Sequence, residues 1–230
     1  MTHTPLLTRT RRHAVIVCVV LALGSMTPLR AAEIAGAILA LTGQVSIERA
    51  GQVLPATRQQ ALLSGDTLAV GEGEVQVRFT DATLLTLYRH TRFAVNDYQY
   101  GAQKTNRAHF SLVNGLMRTL TGKMDKDRYR LKTRLANLAV RGTAYSLRLD
   151  SVLHIAVDAG SVAVTNAAGT VLVHAGGSAI VTTANAMPRP GGGKINLHGT
   201  DGLTSDQLQT GPPAGTKPPP PPPGSQPPPP

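Results

Sequence analysis

The chain has 230 residues, 41% of them apolar but only 3% aromatic, with no Trp, so Val, Leu, Ile and Ala must fill any core. Small and β-branched side chains suit packed sheets and argue against a deep cofactor pocket. The formal charge is +10; four of the 23 basic residues (Arg9, Arg11, Arg12 and Arg30) precede the first acid, Glu33, which leaves 19 basic against 13 acidic residues, or +6.

Residues 1–32 have the three parts of a secretory signal. Arg9, Arg11 and Arg12 form a positive start, Ala14 to Leu23 an apolar stretch, and Gly24, Pro28, Ala31 and Ala32 a small-residue exit. The stretch is interrupted by Ser25, Thr27 and Pro28, well short of the roughly 20 residues a membrane span needs. Cleavage is expected near Ala31 or Ala32 after general secretion, with an uncleaved inner-membrane anchor as the alternative. Arg11-Arg12 fits twin-arginine export poorly. The single cysteine, Cys18, lies inside this segment, so the remainder has no thiol for a disulfide, a metal or a nucleophile. Export leaves anionic glycans or a membrane surface as candidate polyanions and excludes nucleic acid.

Residues 33–185 read as one β domain, because apolar and polar residues alternate with a period near two. Val45 to Glu48, Thr67 to Val70, Leu84 to Tyr88 and Arg92 to Val95 are predicted strands. Glu74 to Phe79 alternates strictly, with Val75, Val77 and Phe79 on one face and Glu74, Gln76 and Arg78 on the other. Beyond Tyr145 the pattern is more regular, through Leu147 and Leu149, Leu153 to Val157, Val162 and Val164, Val171 and Val173, and Ile180 to Thr183. Turns are expected at Asp158-Ala159-Gly160, Asn166 to Gly169 and Gly176-Gly177. No helical stripe follows the signal segment. The expected fold is all-β: one domain of short, mainly antiparallel strands, sandwich- or solenoid-like, with a signal helix before it.

Residues 186–211, with Pro188, Pro190 and three glycines at 191–193, read as an irregular exit segment. Residues 212–230 are proline-rich and expected to be a disordered, extended tail. Its composition fits a spacer or docking strip but names no partner.

Several short motifs occur in order. They are Leu63-Ser64-Gly65-Asp66, Phe79-Thr80-Asp81-Ala82-Thr83, Leu112 to Arg118 with Gly115, Tyr129 to Thr133, and Ala139-Val140-Arg141-Gly142-Thr143-Ala144-Tyr145. Asp158 to Val162 and Ala175-Gly176 follow. Together, from about Thr42 to Val181, they resemble the periplasmic domain of the FecR (iron-dicitrate regulator) family. The resemblance implies a β-rich sensor or adaptor module in the periplasm. It marks Gly65, Asp66, Asp81, Gly115, Arg118, Thr133, Val140, Arg141, Gly142 and Thr143 as family-motif residues with a structural role. Two departures stand out. Ala82 replaces a glycine, which implies a turn with no strict need for positive φ. Arg134 replaces a proline, which leaves the strand free to continue. FecR itself carries a sigma-factor-binding region before its membrane helix. Only 13 residues precede the apolar run here, so no cytoplasmic output is expected.

Two sets of residues bear on binding. Arg141 is expected to pair with a turn carboxylate, Asp66 or Asp81, with Gly142 allowing close backbone approach; on that reading Arg141→Ala costs on the order of 3–5 kcal/mol. A partner contact by Arg141 is the alternative. Arg128, Arg130, Lys132 and Arg134 fall on one face of a strand, with Tyr129, Leu131, Thr133 and Leu135 on the other. This row reads either as an exposed edge protected by charge, helped by a neighbouring acid, or as an anion- or partner-binding face.

No catalytic, cofactor or metal site is expected. There is no nucleophile elbow, Walker loop or HExxH motif. The histidines at 90, 109, 154, 174 and 198 have no ligand spacing and are expected to be solvated, a meeting of His154 and His174 across strands being the alternative. Asp125 and Asp127 sit in a polar loop. The expected function is a non-catalytic periplasmic sensing and protein-interaction module that contacts another envelope protein. The alternative is a structural envelope protein holding anionic glycan or cell-wall polymer through the basic strand face.

Overall fold

A computed structural model describes residues 33–102, 105–191 and 195. The signal segment, the proline-rich tail and most of the exit segment beyond Gly191 lie outside the described residues. Thirteen strands follow in chain order: β1 (Ile34–Arg49), β2 (Gln52–Pro55), β3 (Ala61–Leu63), β4 (Thr67–Phe79), β5 (Leu84–Leu87), β6 (Thr91–Gln99), β7 (Arg107–Leu120), β8 (Tyr129–Lys132), β9 (Asn137–Leu149), β10 (Leu153–Asn166), β11 (Gly169–His174), β12 (Ser178–Val181) and β13 (Arg189–Pro190). The described residues contain no helix. The fold is all-β.

All thirteen strands belong to one sheet, antiparallel except where β8 runs parallel to β7. Five strands are long, and their neighbours are split in two. Beside β1 lie β3 at one end and β2 at the other. Between β4 and β7 lie β5 and β6, end to end. Beside β10 lie β12 and β11. The long strands bend where these splits occur, so several segments expected to be separate short strands are halves of one. Thr67 to Val70 and Glu74 to Phe79, for example, are both β4. The expected turn at Asp158-Ala159-Gly160 is likewise a bend within β10, where the register against β9 shifts.

The bends are in register, so the whole sheet doubles over along them. Gly43 of β1 pairs with Gly73 of β4 at the fold line. A Cβ on Gly43 would sit 1.9 Å from the Glu72 carbonyl oxygen, so no other residue fits there. The extent of the folding is plain from Phe79 and Phe110. In a flat sheet their registers would separate them by about a dozen residues of strand, or roughly 40 Å at 3.3 Å per residue. Their ring centroids are 5.0 Å apart. Phe79 also meets Tyr98 at 5.3 Å, and Tyr129 of β8 meets Tyr145 of β9 through their hydroxyls at 2.9 Å.

The core lies between the two layers. It holds Val75, Val77 and Phe79 of β4, Phe93 and Val95 of β6, Leu131 of β8, and Leu147 and Leu149 of β9, all buried. Threonines repair the ladder at the bends. Thr91 Oγ1 accepts from the Leu116 amide and donates to the Leu116 carbonyl beside Gly115. Thr121 Oγ1 does the same with the amide and carbonyl of Thr143. The exit segment contributes β13, whose two residues pair with β12.

Two turn expectations are corrected. Ala82 adopts φ +69°, so this turn does use the left-handed conformation without a glycine. Asp81 explains how: its carboxylate accepts from the amide and hydroxyl of Thr83 and forces the chain round. Nor does β8 continue through Arg134. Thr133 Oγ1 accepts from the amides of Leu135 and Ala136 and donates to the Ala136 carbonyl, which closes a tight turn after Lys132.

Candidate anion-binding face

The polar motif residues are mostly consumed by the fold. Asp66 is 1% exposed and accepts from Arg49 Nε at 2.8 Å, Arg49 Nη2 at 2.7 Å and the Leu63 amide at 2.7 Å. Hydrogen bonding to Asp66, opposed by partial burial, raises the pKa of Arg49. Gly65, at φ +96°, turns the chain into this clasp. Asp81 is 2% exposed and accepts from Thr83, the Tyr98 hydroxyl and the Met124 amide. Arg118 pairs with Asp158 across β9 at 2.8 Å. Gly115 has φ +103° against Thr91, and Val140 and Thr143 are buried.

Arg141 departs from expectation. Asp66 is held by Arg49 and Asp81 by Tyr98 and Thr83, so neither carboxylate is available to it. Arg141 is exposed, opposite Ser161 of β10, and makes no ion pair among the described residues. Gly142 serves through its φ of +62°; a Cβ there would meet only Lys126 Cε, at 3.6 Å. The close backbone approach falls instead at Gly160, where a Cβ would lie 2.3 Å from the Gly142 carbonyl oxygen.

The basic strand has the alternation read from the sequence but a different position. Tyr129, Leu131, Thr133 and Leu135 are buried, whereas Arg128, Arg130, Lys132 and Arg134 are exposed. The strand is not an edge. β8 sits between β7, with Arg130 beside His109 and Lys132 beside Ser111, and β9, with Lys132 beside Asn137 and Arg130 beside Ala139. The row makes no ion pair among the described residues, although Asp125 and Asp127 are exposed in the turn just before it. Asp97 on β6 pairs with Arg107, and Glu48 on β1 with Arg92. Arg128 stands in the turn just before β8, and Arg141 stands two residues along β9 from Ala139, the partner of Arg130. Five exposed cations without ion pairs among the described residues therefore share one surface, and Lys126 reaches its corner. Sequence reasoning had put Arg141 with the bracing residues and missed this juxtaposition, which only the β8–β9 register reveals.

Among the described residues the histidines do not gather, and His198 lies outside them. His154 lies opposite Arg148 and Ile180 in one layer, His174 opposite Ser161 in the other, and His90 pairs with Glu72 at 3.0 Å. Among the described residues, no three His, Cys, Asp or Glu side chains are grouped to hold a metal ion.

One buried carboxylate faces away from the core. Glu74, on the outer side of β4, is 5% exposed, and its Oε1 has no hydrogen-bond partner. Burial raises its pKa. Tyr88 beside it is pushed up to about 12, chiefly by burial and further by the Glu74 charge.

The domain is thus a doubled-over antiparallel sheet whose polar motif residues brace its turns, with an exposed basic row on an outer face. Residues 66–163 match the family model described as FecR protein. The match begins at Asp66 of the clasp and takes in Arg118, Arg141 and the whole basic row. It is narrower than the Thr42 to Val181 span of the motifs, although β1 is integral to the same sheet. No curated protein matches the chain. Two crystal structures of a "putative anti-sigma factor" from Parabacteroides distasonis ATCC 8503, at 1.65 and 2.50 Å resolution, are similar to it. Each aligns at 18% identity and a TM-score of 0.45. The alignment covers 54% of this chain and spans 58% of those chains.

Proposed function

We propose that this protein is a non-catalytic sensing and protein-interaction module of the cell envelope, exported to the periplasm, which relays to a separate membrane partner. The observation that carries this reading is the FecR family match over residues 66–163. The use of the motif side chains supports it: Asp66, Asp81, Thr121 and Thr133 are committed to turns and bends, so the domain's polar chemistry holds a rigid surface in place. Recognition by such a surface needs shape and charge rather than a reactive group.

The reading is tested by placing a photo-crosslinking residue at exposed Leu172 of the full chain and fractionating the cells. The expected result is a single adduct in the envelope fraction with a protein that spans the inner membrane. An intact chain confined to the cytosol, or an envelope chain that yields no protein adduct from Leu172 or from exposed Val53 at the opposite end of the sheet, would count against it.

A further inference from the structure

We propose that the outer face of β8 binds a linear acidic polysaccharide, laid along the strand over Arg134, Lys132, Arg130 and Arg128 and ending on Arg141. Arg130 and Lys132 stand two apart on the strand, so their roots are spaced by roughly 6.6 Å, and Arg128 and Arg134 stand in the turns at its two ends. Each exposed guanidinium offers a planar fork that accepts one carboxylate in two parallel hydrogen bonds. A charge without a partner in the protein gives up only hydration, and breaks no ion pair, when it takes one from a ligand. These side chains form no ion pairs among the described residues, whereas Arg49, Arg92, Arg107 and Arg118 are all engaged.

The flanks fit a sugar chain. Beside Lys132 lie Ser111 and Asn137, and beyond Asn137 lies Thr165, all short polar side chains able to exchange hydrogen bonds with ring hydroxyls. Because β8 is an inner strand, its backbone is already paired on both sides, so a ligand here is read by side chains and not by strand addition. A lipid surface fits the face less well. The cations form a line rather than a field, and the exposed apolar residues Val113 and Leu172 stand on β7 and β11 with three strands between them. The proposal is independent of the protein-partner reading: a chain that captures an envelope protein but not polymer overturns only this one.

The test uses the full chain on immobilised polygalacturonate, with neutral dextran and phosphatidylglycerol vesicles as comparisons. Two variants of equal charge change are matched: R130Q/K132Q on the face, and R78Q/R89Q at exposed positions elsewhere. All four side chains are exposed, so thermal midpoints should stay at the wild-type value. Wild type should be retained at low ionic strength and released as salt rises from roughly 50 mM to 0.5 M, where screening shortens to a few ångströms. R130Q/K132Q should bind about fivefold or more weakly, while R78Q/R89Q keeps wild-type affinity and R141Q loses about two- to fivefold. No retention of wild type at the lowest salt, equal losses in the two matched variants, or binding to vesicles and not to polygalacturonate would each overturn the proposal. An unchanged affinity for R141Q would remove Arg141 from the site.

Discussion

Arg49 grips Asp66 with two nitrogens, Nε to Oδ1 at 2.8 Å and Nη2 to Oδ2 at 2.7 Å, and so ties the end of β1 to the turn that opens β4. The same guanidinium donates to the Ala61 carbonyl, which draws in β3 as well. Three segments thus meet on one side chain. Arg49→Met should destabilise the domain by about 2–4 kcal/mol, below the full cost of stranding a buried charge because Arg49 is 30% exposed. Asp66→Asn should cost less, since the amide still accepts one of these bonds. Urea denaturation of the two variants checks the order. A smaller loss for Arg49→Met than for Asp66→Asn would show that the clasp does not hold the turn.

Arg141→Ala should leave stability within about 0.5 kcal/mol of wild type, because the side chain is exposed and makes no ion pair among the described residues. This reverses the expectation from sequence, which made Arg141 half of a buried pair. A shift in the urea midpoint as large as that of Arg49→Met would restore the older reading.

Glu74 gives the domain a pH dependence of definite sign. Its folded pKa is raised above the ordinary 4.5 by burial, so the protonated form suits the folded state. The contribution is fully favourable below about pH 4.5 and is lost as pH rises through the folded pKa, where the carboxylate must ionise in its buried site. The Glu74 charge in turn acts on Tyr88, as does that of Arg118, which is paired with Asp158. Glu74→Gln should therefore be more stable than wild type at neutral pH, by on the order of 1 kcal/mol, with the gain vanishing in acid. Paired denaturation curves at the two pH values check this. A gain that persists unchanged in acid would rule out ionisation as its cause.

Two backbone positions make opposite predictions. Ala82 holds a left-handed φ that costs an L-residue about 1 kcal/mol, so Ala82→Gly should raise stability by several tenths of that after the extra chain entropy is subtracted. Gly43→Ala should cost more than about 3 kcal/mol, since its Cβ would overlap the Glu72 carbonyl at the fold line. Thermal midpoints of the two variants should move in opposite directions.

What the sequence made legible was whatever depends on period alone. The alternation of Tyr129 to Leu135 separates buried from exposed side chains correctly at every position, because one face of β8 meets the core and the other meets solvent. The neighbours of that strand were not legible, since a central and an edge strand share the same pattern when one face is wet. For the same reason the row's lack of ion pairs among the described residues, and the presence of Arg141 beside it, emerged only with the pairing of β8 and β9. Gly160 reads as a turn signal because chain reversal and strand bending both call for glycine; which occurs depends on whether the neighbouring strands bend at the same level. At Ala82 the missing glycine misled, because Asp81 and Thr83 supply from their side chains what Gly would supply from its backbone. The partner of Asp66 was hidden too: Arg49 ends an ordinary alternating strand, and nothing local distinguishes it from a solvated arginine.

Each long strand crosses the fold line and belongs to both layers. Neither layer can therefore melt, slide or tilt while the other keeps its native hydrogen bonds. Amide exchange in the cores of β4 and β10 should report one common opening event on both sides of the bend, and a force on the basic face is carried to the opposite face by continuous backbone, with no hinge to absorb it.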